Sequence, residues 1–74
     1  MEELDLRGLI CPLPVLKARK RLAGLPPGAR VRILATDPKA REDFRHFCEV
    51  AGHRLLAVRE EGGGVLVIEI ERGG

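Results

Sequence analysis

Cys11-Pro12-Leu13-Pro14 is the segment of this chain best equipped for covalent chemistry. It joins one thiol to two closely spaced prolines. Helical periodicity begins at Pro12, which places Cys11 at the expected N-cap. There the free N–H groups and partial positive charge of a helix N-terminus favour a thiolate. Pro12 restricts Cys11 to an extended backbone, as an N-cap residue requires. Pro14 has no N–H, so the N–H of Leu13 is left as the main local donor to the sulfur. Gly8 gives the turn ahead of this loop. A thiolate held in this way can attack a sulfur-bearing partner, carry the sulfur as a persulfide and yield it by the same exchange. Three residues beyond Cys11 stands Pro14, so no resolving thiol closes a disulfide, unlike in a Cys-x-x-Cys reductase. The plainer alternative is a small structural residue at a loop–helix junction, since free Cys commonly packs like a hydrophobe.

The flanking pattern supplies the elements that must position this loop. Leu4 to Arg7 alternates apolar and polar and reads as a short strand ended by Gly8. From Pro12 to Leu25, Val15, Ala18, Leu22 and Leu25 recur at helical spacing, with Leu16 and Ala23 beside them. Gly24 and Pro26-Pro27-Gly28 stop this helix. Ala29 to Thr36 is a second strand, with Val31, Ile33 and Ala35 on one face and Arg30, Arg32 and Leu34 on the other. Asp37 is the expected N-cap of a second helix and Pro38 its first residue. Ala40, Phe44, Phe47, Cys48 and Ala51 form its apolar stripe, and Gly52 suits a left-handed cap. Arg54–Glu60 and Val65–Glu71 are strands joined by Gly62-Gly63-Gly64, a hairpin. The order β-α-β-α-β-β predicts an α/β two-layer sandwich: a mixed four-stranded sheet with both helices on one face. Arg72-Gly73-Gly74 reads as a mobile tail.

The chain has 74 residues, the size of one domain with a modest core. With two cysteines it is no disulfide scaffold. Its acidic start, Met1-Glu2-Glu3-Leu4-Asp5, lacks the apolar run of a signal peptide, and no segment reaches the length of a membrane span. A cytoplasmic setting with free thiols is the expectation. Net charge is +2, and there are two Phe and no Trp or Tyr. A single-strand nucleic-acid binder needs stacking platforms that this composition lacks, so no direct nucleic-acid partner is expected.

Other chemically capable residues have ordinary explanations. Cys48 falls in the apolar stripe and reads as core. His46 lies roughly 200° around the helix from Cys48, so the two cannot share a metal from one face. Cys11, Cys48, His46 and His53 match no familiar zinc spacing, and no metal site is expected. His53, after a helix-ending Gly, reads as structural. Lys17, Arg19, Lys20 and Arg21 form either a docking patch for an acidic partner or a solvated face. Asp5 and Arg7 flank the Cys11 loop.

The segment Leu4-Asp5-Leu6-Arg7-Gly8-Leu9-Ile10-Cys11-Pro12-Leu13-Pro14-Val15 resembles the TusA-like, or SirA-like, family of sulfur carriers. That family has Leu-Asp-x-x-Gly followed by Cys-Pro-x-Pro-Val opening a helix. Arg19-Lys20, Asp37-Pro38, Phe47-Cys48 and Gly52-His53 extend the match over nearly the whole chain. Two positions depart: Asp43-Phe44-Arg45 where many relatives have Asp-Ile-Pro, and Thr36 where many have a second Asp. The resemblance implies a sulfurtransferase, or persulfide carrier, acting by thiolate exchange at Cys11. It implies a cysteine desulfurase or rhodanese-like donor and a downstream acceptor in tRNA thiolation, cofactor assembly or sulfur oxidation. No cofactor is expected besides the covalent persulfide on Cys11. A carrier that docks with two partners in turn is expected to be a monomer. Two other functions compete. Gly73-Gly74 could serve as the thiocarboxylate terminus of a ubiquitin-like carrier, although that fold has another element order. Arg30, Arg32 and the first helix could serve a small RNA- or protein-binding regulatory module.

Overall fold

The computed structural model describes residues 1–74. Its elements are β1 (Glu2–Asp5), α1 (Leu13–Ala23), β2 (Arg30–Ala35), α2 (Ala40–Ala51), β3 (Arg54–Glu61) and β4 (Val65–Glu71). The sheet order is β1-β2-β4-β3. β1 runs parallel to β2, whereas β4 is antiparallel to both β2 and β3. The expected mixed four-stranded sheet is therefore present, with β3 and β4 joined as a hairpin through a 3₁₀ turn at Gly62–Gly64.

Both helices cover one face of the sheet. Val31, Ile33 and Ala35 of β2 and Leu66, Ile68 and Ile70 of β4 form one core with Ala18 and Leu22 of α1 and Ala40, Phe44, Phe47 and Cys48 of α2. The alternation in β2 fixes this arrangement, because a shift of one residue would turn Arg30 and Arg32 inward. On the open face Glu71 lies between Arg30 (3.1 Å) and Arg54 (3.7 Å), and Glu69 between Arg32 (3.1 Å) and Arg59 (3.5 Å).

Several boundaries differ from the sequence expectation. β1 begins at Glu2 and ends at Asp5, not at Arg7. Parallel pairing of Glu2 with Val31 and an ion pair from Arg21 of α1 to Glu2 hold these acidic residues in the strand. α1 starts at Leu13, after an N-cap at Pro12, and stops at Ala23. α2 starts at Ala40, not at Pro38, because Asp37-Pro38-Lys39 is spent on a turn closed by Ala40 N–H to the Asp37 carbonyl (3.0 Å). Ala51, assigned to the apolar stripe, is exposed.

The end of α2 and the tail meet. Gly52 takes φ 77°, the left-handed cap that a side chain would strain. The tail is not loose as far as Gly73. Arg72 donates to the Leu22 carbonyl (2.8 Å), and Gly73 N–H donates to His53 Nδ1 (3.0 Å). A Cβ at Gly73 would sit 1.8 Å from the Gly52 carbonyl oxygen, so only glycine fits there.

Phe44 is the largest fully buried side chain. Phe44→Ala is expected to lower unfolding free energy by about 3–5 kcal/mol, most of the stability of a chain this short. Urea denaturation checks this, and a loss under about 1 kcal/mol would mean that the site collapses around the smaller residue.

Candidate functional site

The loop between β1 and α1 is held by the loop between β2 and α2. Gly8 N–H donates to Thr36 Oγ1 (2.9 Å), and Cys11 N–H donates to Asp37 Oδ2 (2.8 Å). The other oxygen of Asp37 accepts from Lys39 N–H (3.2 Å). Asp37 is only 8% exposed, and these two donors make its burial tolerable. Asp37 therefore works across the fold, whereas the sequence expectation made it the cap of its own helix. Thr36, one of the two departures from the family pattern, supplies an acceptor to the Cys11 loop.

Cys11 lies one residue before the cap of α1, rather than at the N-cap. The Cys11–Pro12 peptide is cis. The Leu13 N–H, expected to serve the sulfur, donates instead to the Ile10 carbonyl (2.9 Å). Pro14 is buried, while Cys11, Pro12 and Leu13 are exposed. Of the two free thiols, Cys11 faces outward and Cys48 lies in the core.

Cys11 opens onto a cavity of about 560 Å³ between the two helices. Pro12, Val15, Leu16 and Arg19 supply the α1 wall; Asp43, His46, Phe47, Val50 and Ala51 supply the α2 wall. Each set follows helical spacing, so each is one face of its helix. Val50 and Leu16, 74% and 49% exposed, leave the groove apolar and open. The four cations grouped in the sequence separate here. Arg19 reaches the groove, Arg21 turns away to pair with Glu2, and Lys17 and Lys20 remain exposed on α1 without lining it.

The electrostatics reverse the expectation of a thiolate. The pKa of Cys11 is raised, first by the Asp43 carboxylate as an acceptor for the thiol hydrogen, then by desolvation and by the negative charges of Asp43 and Asp37; Lys39 opposes them. Sγ and one carboxylate oxygen each of Asp37 and Asp43 all lie within 4.8 Å of one another. Two full negative charges at that range outweigh the roughly half charge of a helix end. The same three atoms are the one place where the chain gathers metal-type ligands, a grouping that linear spacing did not signal. In the sequence Asp43 stands out only as part of the family pattern. Its helical spacing with His46, Phe47 and Val50 was the available signal.

The remaining residues engage neighbours away from the Cys11 thiol. Burial alone pushes the Cys48 thiol up to about 11. The His53 ring packs on Phe47, with centroids 5.3 Å apart, and burial followed by the charge of Arg72 lowers its pKa. Asp5 and Arg7 bind each other through two 2.8 Å hydrogen bonds, which hold the Asp5 carboxyl at about 2.

Fold and site together define a two-layer α/β domain that presents one exposed cysteine beside an apolar groove. A family profile described as Sulfurtransferase TusA matches residues 2–72. The sulfur carrier protein TusA of Allochromatium vinosum is 44% identical over 62 residues, covering 84% of this chain and 82% of that protein. The protein of the same name from Pseudomonas syringae is 42% identical over 64 residues, covering 86% and 76%. The crystal structure of a SirA-like protein from Desulfitobacterium hafniense superposes with a TM-score of 0.88 at 31% identity, covering all of both chains. The chain belongs to the TusA family of sulfurtransferases.

The two thiols should respond differently to alkylation. Iodoacetamide at about pH 8 is expected to label Cys11 in the folded chain and Cys48 only after unfolding. The Cys11 rate should still climb beyond pH 9.0, its unperturbed value. Peptide mapping with a pH–rate profile reads both, and a plateau below pH 8.5 would sink the account of the carboxylates. Because Cys48 favours its neutral form in the fold, its contribution to stability is complete below pH 9.0 and is lost between there and about 11.

Proposed function

We propose that Cys11 accepts sulfane sulfur as a persulfide from a cysteine desulfurase or rhodanese-like donor and relays it to an acceptor protein. The observation that carries this reading is the pairing of an exposed Cys11 with a buried Cys48, in a chain that belongs to a family of sulfur carriers. With Cys48 closed in the core, no second thiol is at hand to resolve a persulfide as a disulfide. The groove beside Cys11 is the proposed docking site. Its apolar wall suits burial against a partner, and Arg19 offers one cation at its side. The prolines and Gly8 give the loop its shape. The relay belongs in a reducing compartment such as the cytoplasm, and the acceptor serves tRNA thiolation, cofactor assembly or sulfur oxidation.

Neither competitor has comparable support. Gly73 is pinned between His53 and Gly52, which argues against its use as a flexible thiocarboxylate terminus. Arg30 and Arg32 are paired with Glu71 and Glu69, which argues against an RNA-binding face.

Incubation with a cysteine desulfurase and free cysteine is expected to add one sulfur to the intact mass, reversed by dithiothreitol. Cys11→Ser should abolish the gain, while Cys48→Ser and deletion of Gly74 should preserve it. Loading that survives Cys11→Ser would refute the assignment.

A further inference from the structure

The geometry points to Asp43 as a catalytic residue, one that carries the proton of the Cys11 thiol to the departing sulfur of the donor. The inference rests on the persulfide reading and extends it from the sulfur atom to the proton.

The need for such a group follows from the balance of the reaction. A Cys11 thiol and a donor persulfide, R–S–SH, become the Cys11 persulfide and R–SH. An electron pair on Cys11 Sγ forms a bond to the terminal sulfur of the donor. The donor S–S bond breaks, and its pair stays on the inner sulfur. Sulfane sulfur changes hands with no net oxidation. One proton must leave Sγ, and one must reach the inner sulfur of the donor, or the leaving group departs as an unneutralised thiolate. In a cysteine that was already a thiolate at rest the first transfer would be unnecessary. Here the surroundings keep the proton on sulfur, so the reaction has to move it.

Two carboxylates lie within reach, and only one is free to act. Asp37 is buried, and its two oxygens accept the N–H groups of Cys11 and Lys39. It fixes the loop, and a proton on either oxygen would weaken a bond that holds the loop. Asp43 stands on the first turn of α2, half-buried, at the edge of the groove through which a donor would approach. Its side chain takes part in none of the ion pairs or nitrogen-donated hydrogen bonds of the chain. Its carboxylate and Cys11 Sγ fall within the same 4.8 Å cluster. The carboxyl group turns about its Cβ–Cγ bond, so the oxygen that takes the proton from the attacking sulfur can return it to the leaving sulfur. The other groups facing this space are Lys39, Arg19 and His46. The two cations cannot accept the proton. His46 lies outside the cluster of ligand atoms around Sγ.

A general base and a mere negative neighbour give opposite signatures when the charge is removed, and two reactions separate them. Alkylation by iodoacetamide depends on the thiolate population and expels iodide, which needs no proton. Persulfide loading needs the proton delivered. We would compare Asp43→Asn and Asp43→Glu with the parent chain in single-turnover loading from glutathione persulfide, read by intact mass, and in alkylation at the same pH. Asn has nearly the shape of Asp, and circular dichroism confirms folding. Asp43→Asn is expected to load about 10²-fold more slowly while alkylating several-fold faster. Asp43→Glu, which keeps a carboxylate, is expected to recover loading to within about tenfold of the parent. If Asp43→Asn speeds both reactions, or leaves loading unchanged in a parent that loads, Asp43 is not the proton carrier and the persulfide reading stands. If the parent itself takes no sulfur from either glutathione persulfide or a desulfurase, the persulfide reading falls and this inference falls with it.

Discussion

The hydrogen bond from Cys11 N–H to the buried Asp37 carboxylate is the constraint on which the site depends. It joins residues 26 apart and ties the β1–α1 loop to the β2–α2 loop. Removing a carboxylate from water is costly unless donors replace the solvent. Here the two donors are backbone N–H groups whose positions the sheet already limits. β1 lies parallel to β2, so both strands deliver their loops to the same end of the sheet. The parallel pairing thus brings Cys11 and Asp37 together, and the carboxylate fixes their separation. Thr36 adds a second bond of the same kind to Gly8. The Cys11 loop therefore takes its shape from β2 as much as from its own prolines.

That arrangement has an electrostatic consequence opposite to the one a helix N-terminus suggests. The polar grip that orders the loop brings negative charge to the sulfur, and the start of α2 adds Asp43. A protonated thiol is slow to oxidise and slow to react with stray electrophiles. Moving the proton of Cys11 or neutralising the carboxylates beside it would therefore raise its reactivity. A thiolate poised by a helix dipole would be reactive all the time. An exposed position and a raised pKa are thus compatible parts of one design, exposure serving access and the carboxylates serving restraint.

The sequence made the elements legible because its periodicities are clean. Val31, Ile33 and Ala35 alternate with Arg30, Arg32 and Leu34, and Phe44, Phe47 and Cys48 fall on one helical face; each pattern admits one burial. Cys11 was legible too, since cysteine between turn and proline is an unusual context. The partners of Cys11 were not, because they act across the fold. Asp37 looked like a local cap, the commonest use of Asp before a helix, and the bond to Cys11 leaves no linear trace. The order of the tail leaves no linear trace for the same reason. Arg72 and Gly73 have no local pattern, and their order comes from Leu22, His53 and Gly52, contacts that exist only once α1 and α2 have packed. Ala51 also looked like part of the core stripe. With Val50 it ends up lining an open groove because α1 and α2 leave the cavity between them unfilled.

The distribution of charge completes the separation between scaffold and site. A net charge of +2 with ten arginines could have produced a basic face. It does not, because four of those arginines are set against two glutamates across neighbouring strands. Exposed pairs of this kind contribute little stability each, but they fix what the open face of the sheet presents. That face offers mixed, mutually engaged charge, with Leu34 and Val67 paired beside it. The helical face is different in kind: Leu16 and Val50 are exposed, Arg19 reaches the groove, and the acid groups gather at the thiol. A partner that binds through apolar burial finds Leu16 and Val50 on the face where the sulfur atom lies.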